Sequence, residues 1–171
     1  MNLSEHFTLA EAVTSSTAQR MGIDNTPSPE AIERMKAQAA GMEFVRAVLQ
    51  HPIHVDSWYR CEALERVLCD VDYRSWCKRH GRDVTNDTWR DYFRVKAHPK
   101  GLATDFICPS FGSPGEIAAK LATTVSLKFD QLIMEGTWVH ISFAPSMRRI
   151  VRTAVFSKGE VAYLNGVKRV T

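Results

Sequence analysis

A chain of 171 residues, 44% apolar and 24% charged, is long enough for one core and too short for two. Its formal charge of +3 is dispersed, thickest at "MRRIVR" (147–152) and "WCKRHGR" (76–82), and falls short of the basic stripe of a nucleic-acid binder. No segment approaches the uncharged run of about 18 residues that a bilayer span requires, so no stable membrane association is expected.

The N-terminus, "MNLSEHFTLAEAV", lacks the basic-then-apolar pattern of a secretory signal, which predicts synthesis in a cytoplasm. Cys61, Cys69, Cys77 and Cys108 show no Cys-x-x-Cys spacing and are expected to be reduced, largely buried thiols. Thr8 and Glu11 in "TLAE" form a capping-box pattern that opens a short helix through about Ser16. Ser28 and Pro29 then open the main amphipathic helix, with Ile32, Met35, Ala39, Met42, Val45 and Val48 at helical spacing.

"HPIHVDSWYR" alternates as a short strand ending near Arg60, with Ile53, Val55 and Ser57 on one face. Residues 66–95 read as an insertion of two helices interrupted at "HGRD"; a lid over substrate, a partner surface and structural padding are all compatible with it. "GLATDFIC" and "FDQLIME" are β-like, and "SPGEIAAKLATTV" between them carries a capped helix start at Ser113 and Pro114. "SFGSPGE" lacks the Gly-Lys-Ser/Thr ending of a phosphate loop. "TWVHISF" alternates strictly, placing Trp138, His140 and Ser142 on one face and Val139, Ile141 and Phe143 on the other. A final hairpin, "TAVFSKGEVAYL", turns at Lys158 and Gly159. Helices first and strands later predict a single α+β domain, 1–171, with helices packed on a small antiparallel sheet.

"HPKGLATDF" sets His98 and Asp105 around a tight bend, and His140 points away from its core-facing neighbours. Together they would offer two imidazoles and one carboxylate, the ligand set of a catalytic zinc with a fourth position open. Taken by itself, such spacing also arises from hydrogen-bonded structure. Arg60 read alone is a surface charge, Glu135 a solvated glutamate in a turn, and Trp138 ordinary sheet packing.

His98, Gly101, Ala103 and Asp105 match a His-x-x-Gly-x-Ala-x-Asp signature, and "FDQLIMEGTWVHISF" contains a Trp-x-His element. In these stretches, in "LSEHFTLAEAVTSSTAQRMGIDNTP" and in "VDSWYR", the chain resembles the zinc D-Ala-D-Ala carboxypeptidase family of bacterial cell-wall peptidases, in its phage endolysin-like branch. The resemblance spans most of residues 3–60 and 95–145. It implies a hedgehog/DD-peptidase-like fold, a zinc ion on His98, Asp105 and His140, and a substrate carboxylate or carbonyl on Arg60, with Ser57 and Trp138 beside the substrate. Glu135 is the implied base, because Thr137 occupies the place where many members carry an acid and cannot accept a proton at neutral pH. Lys96 also departs from the serine common two places before the first ligand, and residues 66–95 exceed the usual connection.

The implied activity is hydrolysis of a bond in the peptidoglycan stem peptide by a monomeric enzyme. Such a protein would be made in a bacterial cytoplasm and reach the periplasm or wall after release, or travel in a virion. The other reading of the same resemblance is a zinc-retaining, non-catalytic module that holds wall peptides or builds a phage particle. Nucleic acid is not an expected partner.

Overall fold

The computed structural model describes residues 1–157 and 160–169. The N-terminal helical pattern divides in two. Helix α1 (Leu9–Val13) begins with the expected Thr8–Glu11 capping box. That helix stops short of the predicted end near Ser16, and a second helix, α2 (Ser16–Met21), follows, its Ser15 hydroxyl accepting from the Ala18 N–H. Ser28 caps α3 (Pro29–Leu49), whose buried stripe runs through Met35, Ala39, Met42, Val45 and Leu49. The fully buried Gln38 lies within that stripe. Its amide donates to Thr104 Oγ1 and the Ile141 carbonyl, both at 3.1 Å, and its oxygen accepts from Phe143 N at 3.0 Å. One side chain thus pins the long helix to two strands with its buried polar atoms satisfied.

Six strands form one sheet: β1 (His54–Ser57), β2 (Ala103–Ile107), β3 (Gln131–Glu135), β4 (Trp138–Ser142), β5 (Ile150–Ser157) and β6 (Glu160–Asn165), ordered β1-β2-β4-β3-β5-β6. The sheet is mixed rather than antiparallel, because β5 pairs parallel to β3 while every other neighbouring pair is antiparallel. The cause is local. β5 runs opposite to β4, so the link over residues 143–149 stays at one end of the sheet and lays β5 on the free edge of β3. The strands of the C-terminal hairpin are present; its expected turn at Lys158 and Gly159 lies outside the described residues.

One face of the sheet is apolar. Phe106, Leu132, Met134, Val139 and Ile141 pack there against α3 and α7 (Pro114–Thr123) in the main core. The alternation that buries these side chains sends Asp105, Ile133 and His140 to the opposite face, in register across three strands. In β1 an irregularity between Val55 and Ser57 breaks the expected alternation: Val55 packs toward the core, and Ser57 comes opposite Asp105.

The insertion has three helices, α4 (Glu62–Leu68), α5 (Asp70–Arg79) and α6 (Asn86–Arg94), rather than two, since the first segment breaks at Cys69. It owns a separate apolar cluster of Tyr73, Cys77, Trp89 and Tyr92, with the Tyr73 and Trp89 rings 5.2 Å apart and edge-on. Among the described residues no helix is long and apolar enough to cross a membrane. All four cysteines are unpaired, with Cys77 and Cys108 buried.

Candidate metal centre

His98, Asp105 and His140 converge. The first comes from a 3-10 turn (His98–Lys100), and the other two are directly opposed on β2 and β4. His98 Nε2 lies 3.3 Å from His140 Nδ1 and 3.2 Å from Asp105 Oδ1, and the third side of this triangle, His140 Nδ1 to Asp105 Oδ1, is 2.8 Å. All three residues are buried, at 4–8% exposure.

This donor set suits a metal ion. Ligands held at about 2.0–2.1 Å around a tetrahedral ion sit about 3.3 Å apart, close to two of the three sides observed. The tautomer also fits: His98 Nδ1 donates to the Trp58 carbonyl at 2.7 Å, which leaves Nε2 as a lone-pair donor aimed into the triangle. A buried His98–Asp105–His140 triad can therefore hold a metal ion. Burial and the neighbouring Arg60 charge push the His98 pKa down and keep that ring neutral, as a ligand must be. For His140, burial opposes charge, but the hydrogen bond and charge of Asp105 prevail and raise its pKa. Burial also opposes charge on Asp105, yet His98, His140 and Arg60 hold its carboxyl well below the usual range.

The turn depends on Gly101. Its φ of +74° is left-handed, and a Cβ there would lie 2.5 Å from Met35 Cγ and 3.0 Å from the Ala31 carbonyl oxygen. Only glycine lets the turn press against α3 and deliver His98 to β2 and β4.

Arg60 is brought to the centre, but as a partner of the protein itself. Its Nη2 donates to Asp105 Oδ2, its Nε donates to Ser57 Oγ at 2.8 Å, and its Nη1 contacts Glu65 Oε2 at 3.5 Å. The guanidinium thus neutralises and orients a ligand carboxylate, and an incoming carboxylate would have to share it. Ser57 serves as Arg60's acceptor. Spacing gave no signal for this contact, since Arg60 and Asp105 are far apart in sequence and meet only through the β1–β2 pairing.

Glu135 and Trp138 are paired across the β3–β4 hairpin, and Trp138 Nε1 donates to Glu135 Oε2 at 2.9 Å. Burial raises the Glu135 pKa, partly offset by the His140 charge. Thr137 lies exposed in the turn. Lys96 extends over the Tyr92 ring, 4.0 Å from its centroid, and reaches Asp72 at 3.2 Å. Elsewhere, His6 bonds Glu43, His80 its own helix, and His51 packs on Phe111, so none of these histidines approaches the centre.

The triad opens into a cleft of about 920 Å³. The sheet forms its floor; Glu65, Leu68 and Asp72 of the insertion form one wall, and Phe156 and Tyr163 of the β5–β6 hairpin another. Sequence reasoning did not find this role for the hairpin, which carries no chemical motif. A second groove of about 460 Å³, lined by Thr14, Ser15 and Asp56, reaches the same centre and shares Arg60, Asp105 and Trp138 with the cleft. No protein-family model and no curated protein matches this chain.

Proposed function

We propose that this protein is a zinc-dependent peptidase of the bacterial cell wall that hydrolyses a bond in the peptidoglycan stem peptide. The observation that carries the reading is the buried triangle of two imidazole nitrogens and one carboxylate oxygen at the floor of a cleft, with Glu135 on the same cleft surface. The resemblance of His98, Gly101, Ala103 and Asp105 and of the Trp138–His140 element to wall peptidases supports that substrate class.

His98, Asp105 and His140 would hold a zinc ion, which when bound would supply a Lewis acid for the peptide carbonyl and make water more acidic. The chain's own groups do the rest. Glu135, anionic and held by the Trp138 indole, accepts a proton from the attacking water as its oxygen bonds to the carbonyl carbon. It then passes that proton to the amide nitrogen as the C–N bond breaks, leaving a carboxylic acid and an amine. Its raised pKa suits both halves of the transfer. Arg60 keeps Asp105 anionic and fixed, and the Trp58 carbonyl fixes the His98 ring. Delivery from a bacterial cytoplasm to the wall at lysis, or carriage in a virion, fits this activity.

The test joins metal analysis to digestion of purified peptidoglycan with mass spectrometry of the fragments. About one zinc per chain with stem-peptide fragments is expected. Glu135→Gln should keep the zinc and lose the fragments, and His140→Ala should lose both. Stoichiometric zinc without fragments from several wall types would replace the peptidase with a wall-binding module.

A further inference from the structure

The centre occupies only part of the cleft, and the floor continues toward the end of the sheet where β2 and β3 begin and β4 ends. Lys100, Ser146 and Arg148 line the cleft at that end. The register shows which strand ends meet there: Ser142 of β4 pairs with Ala103 of β2 on one side and Gln131 of β3 on the other, and Leu102 O accepts from Phe143 N at 3.3 Å.

Arg148 is held in position there. Its Nε and Nη2 donate to Asp130 Oδ1 and Oδ2 at 2.8 and 2.6 Å, a two-pronged pair that fixes the plane of the guanidinium. Asp130 is 3% exposed and accepts in addition from Ser146 Oγ and the Arg148 backbone N–H. The flanking residues Met147 and Arg149 have φ values of 41° and 56°, a region that L residues rarely enter. Three bonds from the Arg149 guanidinium to the carbonyls of Leu127, Ala122 and Thr124 hold the loop in that state. The Arg148 side chain is nonetheless half exposed, and its Nη1 has no protein partner among the described residues.

The cleft's carboxylates are otherwise engaged. Glu65 is on Arg60 and Cys69, Asp72 on Tyr92 and Lys96, Asp130 on Arg148, and Glu135 on Trp138. None of them compensates Lys100, which stands at the same end as Arg148. A fixed guanidinium with a free edge, in a cleft that the Lys100 ammonium also lines, is built to accept an anion.

We propose that the Lys100–Arg148 end of the cleft binds a carboxylate of the peptide substrate, displaced from the cleaved bond. Asp130 immediately precedes Gln131, whose partner Ser142 stands two positions beyond His140 on β4, so the ion pair that holds Arg148 lies about 10 Å from the centre along the strand. An extended peptide covers that distance in about three residues. The substrate class is therefore an acidic peptide whose carboxylate lies two to three residues from the scissile carbonyl. This rests on the peptidase reading and adds a requirement that reading does not contain.

The test uses the zinc-loaded full chain and two synthetic stem peptides identical except that their acidic carboxylates are free in one and amidated in the other. The wild type should favour the free acid by about ten- to hundredfold in kcat/KM, the range of a charge-assisted hydrogen bond. Arg148→Gln and Lys100→Gln should each bring that ratio toward one. Lys100→Gln removes no ion pair among the described residues, so its result stands even if Arg148→Gln loosens the loop. Calorimetric binding of both peptides separates the two readings. Preferential binding of the free acid without cleavage overturns the peptidase and keeps the anion subsite; equal cleavage of both peptides overturns the subsite and keeps the peptidase. Failure to bind or cleave either peptide, or a ratio unchanged in both variants, also overturns the subsite.

Discussion

Replacing Gly101 with alanine tests how the fold delivers the first ligand. Two costs follow from the structure. A left-handed φ of +74° costs an L residue about 1–2 kcal/mol. The new Cβ would stand 2.5 Å from Met35 Cγ and 3.0 Å from the Ala31 carbonyl. Met35 has no exposed surface and little freedom to yield, and the carbonyl belongs to helix α3, so overpacking adds about 1–3 kcal/mol. The sum, about 2–5 kcal/mol, lowers the melting temperature by about 5–15 °C for a domain of this size. Because the turn must back away from α3, His98 moves relative to Asp105 and His140, and zinc affinity should fall at least tenfold. Urea unfolding together with competitive zinc titration measures both effects. A double-mutant cycle with Met35→Ala isolates the clash: once the side chain is truncated, Gly101→Ala should cost at least 1 kcal/mol less, about the lower bound of the overpacking cost. A loss below about 0.5 kcal/mol with unchanged zinc affinity, the level of an ordinary surface substitution, would refute the reasoning.

Metal removal should be visible without any substrate. Zinc at a hundredfold excess over its dissociation constant stabilises the native state by about 2.7 kcal/mol, so chelation should lower the melting temperature by about 5–10 °C, while His98→Ala should show no response to chelator. Asp130 gives a pH signature: its bonds from Arg148 hold its pKa down to about 2, against the usual 3.8. A depressed carboxyl pKa stabilises the fold above the unfolded value, so this contribution of about 2 kcal/mol is complete above about pH 4 and fades as the pH falls toward 2. Asp130→Asn should lose stability at neutral pH and flatten that acid limb; an identical acid limb in variant and wild type would remove Asp130 from the account.

Side-chain direction was the legible part of this chain. Strict alternation in "TWVHISF" put His140 on the open face, and that is where β4 holds it, opposite Asp105. Neighbour order was not legible: periodicity says which way a side chain points but not which strand lies beside it, so the parallel β3–β5 pairing that makes the sheet mixed had no signal. Ser57 shows the same limit, since an irregularity in β1 moved it to the site face against its alternation. Arg60 was readable as a residue near the site, but its partner was not, because the ion pair to Asp105 exists only through tertiary pairing. The break at Cys69 escaped for a different reason: neither flanking helix has a side-chain cap there that spacing could reveal.

The ladder pairing of Asp105 with His140 bears on how the proposed site would take up a metal. A slip of one residue between β2 and β4 would turn a carboxylate and an imidazole into the apolar layer beneath the sheet, so burial alone enforces the ligands' register. With Trp58 orienting His98 and Arg60 orienting Asp105, the three donors stand assembled by the polypeptide itself. Metal uptake at such a site would require no refolding, and an ion would be expected to be stripped and restored on an intact scaffold.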